Sequence, residues 1–377
     1  MRDVLAEIRR WYATGEPFAL ATVVDTYKSS PRQPGATMAV SSDGEAVGSV
    51  SGGCVEGAVY ELGQEVIANG EPLFQRYGVS DDDAFTVGLT CGGIIDMFVE
   101  QISPTTFPEF PEVIDSIDKG EPVAVATIVG GPGELGARIV IWPDRTAGSL
   151  GSARLDGVIA EDGRGQLAHG HTGILRYGED GVRMGVDLAI FVQSYAPAPR
   201  MLVFGAIDFA GAVAKVGKFL GYEVTVCDAR PIFATRKRFP AADEVIVEWP
   251  HRFLQRLVDS GGVNERTVIC VLTHDAKFDV PVLQVALATK AGYIGAMGSR
   301  RTHEDRLERL REAGVPEEQI ARMFSPIGLD LRARTPEETA ISIAAEIIVH
   351  RWGGTGSQLR ETEGAIHKEF ELPDLPV

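Results

Sequence analysis

The sequence predicts an α+β half built from an internal duplication, followed by an α/β half with a doubly wound parallel sheet. Three observations carry this. EPFALATVV at Glu16 recurs as EPVAVATIV at Glu121, and RYG at Arg76 recurs at Arg176, an offset of 100. Two prolines in YAPAPR, Tyr195 to Arg200, separate one apolar strand-like run from the next. Beyond them, short β-rich runs alternate with helical stretches, the rhythm of a parallel sheet covered on both faces.

Taken in order, the first copy holds short alternating strands around the turn SSDGE, then a helix from about Val55 to Ala68, and closes on GIIDMFVEQISP. The second copy repeats this. GATMAVSSDGEAVGSVSGGCVEGAV at Gly35 meets GARIVIWPDRTAGSLGSARLDGVI at Gly136, and VDLAIFVQSYAP closes it. The period is far too long for a solenoid. In the second half the runs MLVFG, EVTVCD, EVIV, TVICVL and YIGAM begin at Met201, Glu223, Glu244, Thr267 and Tyr293, and the arrangement reads as Rossmann-like. The final helix is signalled by Thr335 as N-cap, Pro336 at the first position, Glu338 completing a capping box and Gly353 after its end. Its run AISIAAEIIV is apolar on more than one face, so burial is expected. The predicted domains are 1–196 and 200–354, with a tail at 355–377.

Composition limits the function classes. A chain of 377 residues has room for two or three domains at about 150 residues each. Its 44% hydrophobic and 24% charged residues are those of a globular chain. The net charge of −17 argues against nucleic acid or an anionic membrane as partner, so an anionic ligand must be met locally. No stretch approaches the roughly 20 apolar residues of a membrane span, and the charged start MRDVLAEIRRWYATGE is no signal peptide, so a cytoplasmic location is expected.

The four cysteines divide into two kinds. Cys227 and Cys270 lie inside β-rich runs and read as small core hydrophobes. Cys54 in SGGC and Cys91 in CGG each adjoin a glycine pair, Gly52–Gly53 and Gly92–Gly93, which lets backbone approach a ligand or simply makes a turn. Cys54 also opens a helical stretch, where the dipole favours thiolate. The duplication supplies an internal control: at the offset of 100, Cys54 falls on Arg154, and the second copy has no counterpart of LTCGG. A shared core would place an apolar residue there. Two thiols are too few for a closed zinc site. They suit a soft metal centre that brings its own ligands, a redox disulfide, or a nucleophile with its resolving thiol.

The second half offers a crevice beyond its strand ends. The first turn reads Gly205-Ala206-Ile207-Asp208-Phe209-Ala210, so the middle glycine of a dinucleotide fingerprint is an isoleucine, and Asp208 adds negative charge at a helix start. Asp228, 23 residues after Gly205, stands where a ribose-binding acid belongs. One element fits NAD(P) and one conflicts. Thr273-His274-Asp275 and Ser299-Arg300-Arg301 follow later strands. The first is a candidate base with its orienter, or a helix cap; the second is a candidate anion site, or solvated surface.

ATVVDTYKSSPRQPGATM, SGGCVEG and LTCGG, with THDAKFDVPVL, YIGAMGSRR, SPIGLD and TPEETAISIAAEI, resemble the XdhC/CoxI family of molybdenum-cofactor accessory proteins, in order and over most of the chain. The resemblance implies a maturation factor for a xanthine dehydrogenase or carbon monoxide dehydrogenase-type molybdenum hydroxylase. Such a factor carries the cofactor as cargo, holds it during sulfuration by a cysteine desulfurase and helps insert it, with a homodimer as a further expectation. Cys54 and Cys91 would then lie at the molybdenum, with the crevice at the pterin phosphate. The family's GAGHVA turn is GAIDFA here, which weakens a nucleotide role for that loop. An NAD(P)-dependent oxidoreductase using the crevice, with His274 as acid or base, is the alternative. No cysteine array for iron–sulfur clusters marks a catalytic hydroxylase.

Overall fold

The structure is a computed structural model that describes residues 1–27, 32–78, 93–178, 181–183, 185–273 and 275–363. It divides into two compact units, Met1–Pro197 and Ala198–Thr362.

In the first unit, α1 (Leu5–Thr14) precedes β1 (Phe18–Tyr27), β2 (Thr37–Ser41), β3 (Ala46–Gly48), α2 (Glu56–Asn69), β4 (Leu73–Tyr77) and β5 (Ile94–Ile102). After α3 (Phe110–Lys119) come β6 (Val123–Gly130), β7 (Arg138–Ile141), β8 (Thr146–Ser149), α4 (Ala153–His169), β9 (Gly173–Tyr177) and β10 (Leu188–Tyr195). The first copy forms a sheet of order β3-β2-β1-β5-β4 and the second a sheet of order β8-β7-β6-β10-β9, both antiparallel. Identical order in two halves of one unit is the structural form of the duplication.

Details recur as well. The register slips between Val23 and Asp25 in β1, and again at the Ile190/Ala189 step opposite β6. Val24 and Val129, the residues skipped at these two bulges, meet in one buried cluster with Phe98 and Phe191. Gly63 and Gly163 lie where helix meets strand: a Cβ at Gly63 would stand 3.1 Å from Val40, and one at Gly163 would stand 2.4 Å from Ile141. Alternation then sorts the strands. Ala19, Ala21 and Val23 of β1 pack in the cluster that includes residues of α2, while Phe18 and Leu20 join Val123 and Val125 of β6 in another. Each large apolar side chain so buried contributes about 1.5–3 kcal/mol.

The second unit contains β11 (Arg200–Phe204), α5 (Asp208–Phe219), β12 (Glu223–Asp228), β13 (Glu244–Val247), α6 (Pro250–Asp259), β14 (Val268–Val271), α7 (Ala276–Leu287) and β15 (Tyr293–Ala296). It ends with α8 (Arg300–Glu312), α9 (Glu317–Ile320), β16 (Met323–Phe324) and α10 (Pro336–Trp352). The six parallel strands run β13-β12-β11-β14-β15-β16, a Rossmann order whose switch point lies between β11 and β14. β16, directly before SPIGLD, is a strand the sequence pattern did not reveal.

The capping box of α10 is present, with Thr335 accepting the Glu338 amide and the Glu338 carboxylate returning to the Thr335 amide. Burial of α10 is one-sided, which corrects the expectation above. Ala340, Ile343, Ala344 and Ile347 are buried, whereas Ile341, Ile348 and Trp352 are exposed. A run apolar all round reads as buried from sequence alone, yet here only one stripe meets the sheet. Among the described residues no helix is long and apolar enough to cross a membrane.

Candidate functional site

In the first unit the candidate loop runs from Ser49 to Glu56. Gly52 and Gly53 have φ of +76° and +111°, a conformation that side chains with a Cβ rarely adopt, and a Cβ on either would meet nothing within 4 Å. The pair is therefore required by backbone shape, and it faces open space. In the second copy α4 begins at Ala153, the counterpart of Gly53, and contains Arg154; in the first copy α2 begins only at Glu56. The glycine pair thus unwinds one turn and lifts Cys54 out of the helix, leaving it partly exposed.

Glu56 organises the unwound turn. Its carboxylate accepts the hydroxyls of Ser49 (2.7 Å) and Ser51 (2.5 Å) and the amides of Ser51 (2.9 Å) and Gly53 (2.8 Å). Burial opposes its charge, but these hydrogen bonds prevail and bring its pKa down to about 2. The Ser51 hydroxyl in turn accepts the Cys54 amide at 2.9 Å and the Val55 amide at 3.0 Å. Gly93 is buried directly before β5; Cys91 and Gly92 lie outside the described residues. Among the described residues, no three His, Cys, Asp or Glu side chains gather as a metal site.

Cys227 and Cys270 are buried in β12 and β14, and burial, the largest influence on each, pushes both thiols up to about 12. They stay protonated and inert near neutrality.

In the second unit the crevice forms at the carboxyl ends of β11, β12 and β14. Gly205 has φ +112°, and a Cβ there would lie 2.8 Å from the Thr273 amide nitrogen, so only glycine lets these two strand ends come together. Asp228 is buried. Its oxygens accept the Ala206 amide (2.8 Å), the Arg230 amide (2.9 Å) and two guanidinium N–H groups of Arg230 (2.9 and 2.7 Å). Desolvation opposes the Asp228 charge, yet the Arg230 bonds keep its carboxyl below the usual range. The acid expected to bind a ribose thus has its oxygens taken up by a guanidinium and two backbone amides. Asp208, exposed at the start of α5, pairs with Arg238 at 3.1 Å.

Buried Thr273 accepts the Asp275 amide at 3.3 Å, and Asp275 caps α7 by accepting the Lys277 amide at 3.2 Å. His274 lies outside the described residues. Ser299 caps α8 by accepting the Thr302 amide at 3.1 Å. Arg300 and Arg301 are the first two residues of that helix rather than part of a preceding loop, and both are exposed. Among the described residues neither forms an ion pair.

Sequence reasoning missed the group that supports this edge. Arg306 is buried and donates to Met297 O (2.7 Å), Asp279 Oδ2 (3.0 Å) and Ser325 Oγ (3.0 Å). It thereby joins the GAMGS loop, α7 and the SPIG segment. Glu346 accepts the Gly328 amide at 2.8 Å and the Tyr293 hydroxyl, fixing α10 to the same edge. Nothing in HEDRLERL distinguishes Arg306 from its solvated neighbours.

The comparisons agree with this architecture. The family described as XdhC and CoxI matches residues 11–78 and 116–178, and the XdhC Rossmann domain matches 201–347. A probable xanthine dehydrogenase subunit from Bacillus subtilis is 27% identical over 340 residues, covering 89% of this chain and 94% of that protein. The molybdenum cofactor insertion chaperone PaoD of Escherichia coli is 26% identical, covering 89% and 83%. The crystal structure of a xanthine dehydrogenase from Bacillus halodurans matches with TM-score 0.66 at 26% identity, over 92% of this chain and 95% of that one. The XdhC and CoxI match falls on two stretches of the first unit and the Rossmann match on the second unit, and the chain belongs to the XdhC and CoxI family.

Proposed function

We propose that this protein is a molybdenum-cofactor maturation factor: it binds the cofactor as cargo and delivers it to a molybdenum hydroxylase of the xanthine dehydrogenase or carbon monoxide dehydrogenase type. The name of the E. coli relative, a cofactor insertion chaperone, supports the class. The observation that carries the reading is the difference between the two copies. One topology is used twice, and only the first copy unwinds a helical turn to present a thiol, Cys54, on a loop held by Glu56. A partly exposed thiol beside open backbone suits a soft molybdenum centre that brings its own sulfur ligands.

In this reading Cys54, with Cys91, lies toward the metal, Gly52, Gly53, Gly92 and Gly93 give it room, and Thr273, His274, Asp275, Ser299, Arg300 and Arg301 line the crevice offered to the pterin phosphate. A cysteine desulfurase supplies sulfur while the cofactor is held, and the working form is a homodimer. The test is anaerobic purification of wild type and Cys54→Ser from a host that makes the cofactor, with molybdenum and pterin analysis and transfer to a cofactor-free hydroxylase. Retention and transfer should fall in the variant while the thermal midpoint holds; equal retention would remove Cys54 from the site.

A further inference from the structure

The strand edge on the β12–β13 side of the crevice has a composition that the cofactor reading does not use. Asp228 has its carboxylate oxygens engaged by Ala206 and Arg230, so a ribose hydroxyl meets no open acceptor there. What faces outward is Arg230, with its side chain 44% exposed and its guanidinium fixed by two bonds to one buried carboxylate. A guanidinium held rigid at a crevice selects an anion with oxygens to share, above all a phosphate.

A second guanidinium stands close by. Arg238 donates to Ala206 O at 3.2 Å and to Asp208, and Phe233 lies beneath both arginines, 4.7 Å from Arg230 and 5.4 Å from Arg238. Each arginine is paired with one carboxylate, Arg230 with Asp228 and Arg238 with Asp208, and exposed Lys237 is next to Arg238 in the chain, in a protein of net charge −17. Asp275, whose charge also reaches Arg230, is itself paired with Lys277 at 2.8 Å.

Apolar surface collects at the same edge. Ile232, 76% exposed, and Phe233 follow β12, while Val247 and Trp249, 40% exposed, close and follow β13. Val247 is the register partner of Asp228, so both loops leave the same end of the sheet, and the Trp249 ring packs at 5.1 Å against Phe278. Exposed aromatic and aliphatic side chains next to guanidinium planes are what a nucleobase stacks on. Ile207, meanwhile, stands at the N-cap of α5 in place of the glycine that a pyrophosphate approaches, its side chain partly packed against the core.

We propose that this edge binds a single phosphorylated nucleoside, its phosphate on Arg230 and Arg238 and its base against the Phe233–Trp249 rim. The ligand is a free mononucleotide, since a dinucleotide would bring a pyrophosphate to the turn where Ile207 replaces glycine. The site needs only the second unit, so it stands or falls apart from Cys54.

The experiment titrates cofactor-free, full-length protein with AMP, CMP, GMP, adenosine and inorganic phosphate, following tryptophan emission and heat. At least one monophosphate should bind about tenfold or more tighter than adenosine or phosphate alone. Arg230→Gln and, separately, Arg238→Gln should each weaken it about tenfold. Trp249→Phe should abolish the emission change while heat still reports binding, and Arg311→Gln, an exposed pair elsewhere in the unit, should alter nothing. Arg238→Gln leaves the Asp228 pair in place, so it remains informative if Arg230→Gln fails to fold. Neither a pterin dinucleotide nor the nucleotide-free pterin should compete; competition by either would assign the edge to the cofactor and overturn the proposal. Absence of monophosphate binding, equal binding of phosphate alone, or indifference to both arginine variants would overturn the proposal.

Discussion

Glu56 and Asp156 stand one hundred positions apart and hold equivalent loops: Glu56 accepts the Ser49 hydroxyl at 2.7 Å, and Asp156 accepts the Ser149 hydroxyl at 2.8 Å. The pin is common to both copies, whereas the unwound turn belongs to the first. The architecture therefore supplies a rigid loop twice, and Gly52, Gly53 and Cys54 set the first copy's loop apart from the second's.

Replacing Glu56 should release that loop. Glu56→Gln loses acceptor capacity toward two hydroxyls and several amides, a cost of about 1–3 kcal/mol. The pH dependence has a definite sign. Because the folded pKa of about 2 lies below the ordinary 4.5, the stabilisation is complete above about 4.5 and is lost as pH falls toward 2. Acid titration of the thermal midpoint checks this: the wild type should lose stability through that window more steeply than Glu56→Gln, and parallel curves would contradict the role given to Glu56.

The cysteines should sort by position. Cys54→Ser is expected to change stability little. Cys270→Ser places a hydroxyl in a strand core and should cost about 1–3 kcal/mol. Cys227→Ser should cost a similar amount, since Glu248 O, 3.5 Å from the Cys227 thiol, lies beyond the reach of the shorter serine hydroxyl. Denaturant midpoints of the three variants decide the order.

Arg306 is expected to be the most sensitive single position in the second unit. Arg306→Met leaves Asp279 buried without its guanidinium and frees the Met297 and Ser325 contacts, for a loss of about 3–5 kcal/mol. Substituting Asp279→Asn together with Arg306→Met should recover part of it, because a buried carboxylate charge is then removed along with the guanidinium. A loss in the single variant under about 1 kcal/mol, the scale of an exposed pair, would contradict this assignment.

Nicotinamide dinucleotides should bind no tighter than a mononucleotide, because Ile207, the N-cap of α5, replaces the glycine whose bare backbone a pyrophosphate approaches. Ile207→Gly should raise NAD affinity about tenfold and leave mononucleotide affinity unchanged. Calorimetry on both proteins distinguishes the outcomes; micromolar NAD binding by wild type would show that the loop accepts pyrophosphate as it stands.

The fold was legible where one residue pattern meant one structure. Repeats at Arg76 and Arg176 announced twin sheets, and EVTVCD and EVIV coincide with β12 and β13. What stayed hidden depends on partners distant in sequence. Arg306 lies in a helix of charged neighbours, and its burial is created by Asp279 and Ser325, 27 and 19 residues away. Arg230 lies only two residues after Asp228, yet only the folded loop reveals that it occupies the acid it follows. The exposed stripe Ile341, Ile348 and Trp352 misled for a related reason, since apolar composition says which residues can be buried and not whether anything covers them.

The start of α8, a candidate anion site, gives the last prediction. Arg300 and Arg301 lie in the first helical turn behind the Ser299 cap, where the helix dipole and two exposed guanidinia favour negative charge in an otherwise acidic chain. If they hold the cofactor's phosphate, replacing both with alanine should weaken retention by no more than about 1.5–3 kcal/mol for each charge-assisted bond lost. The loss should grow as salt falls, because exposed charges are screened over about 10 Å at 0.1 M ionic strength. Stability should hardly change, since among the described residues neither arginine pairs with a carboxylate. The pattern also differs from that of the thiol: the double arginine variant should hold less pterin and molybdenum together, whereas Cys54→Ser should lose metal more readily than pterin. Pterin and molybdenum measured in the same samples at low and high salt separate these cases, and unchanged pterin in the arginine variant would assign this helix end to a partner protein instead.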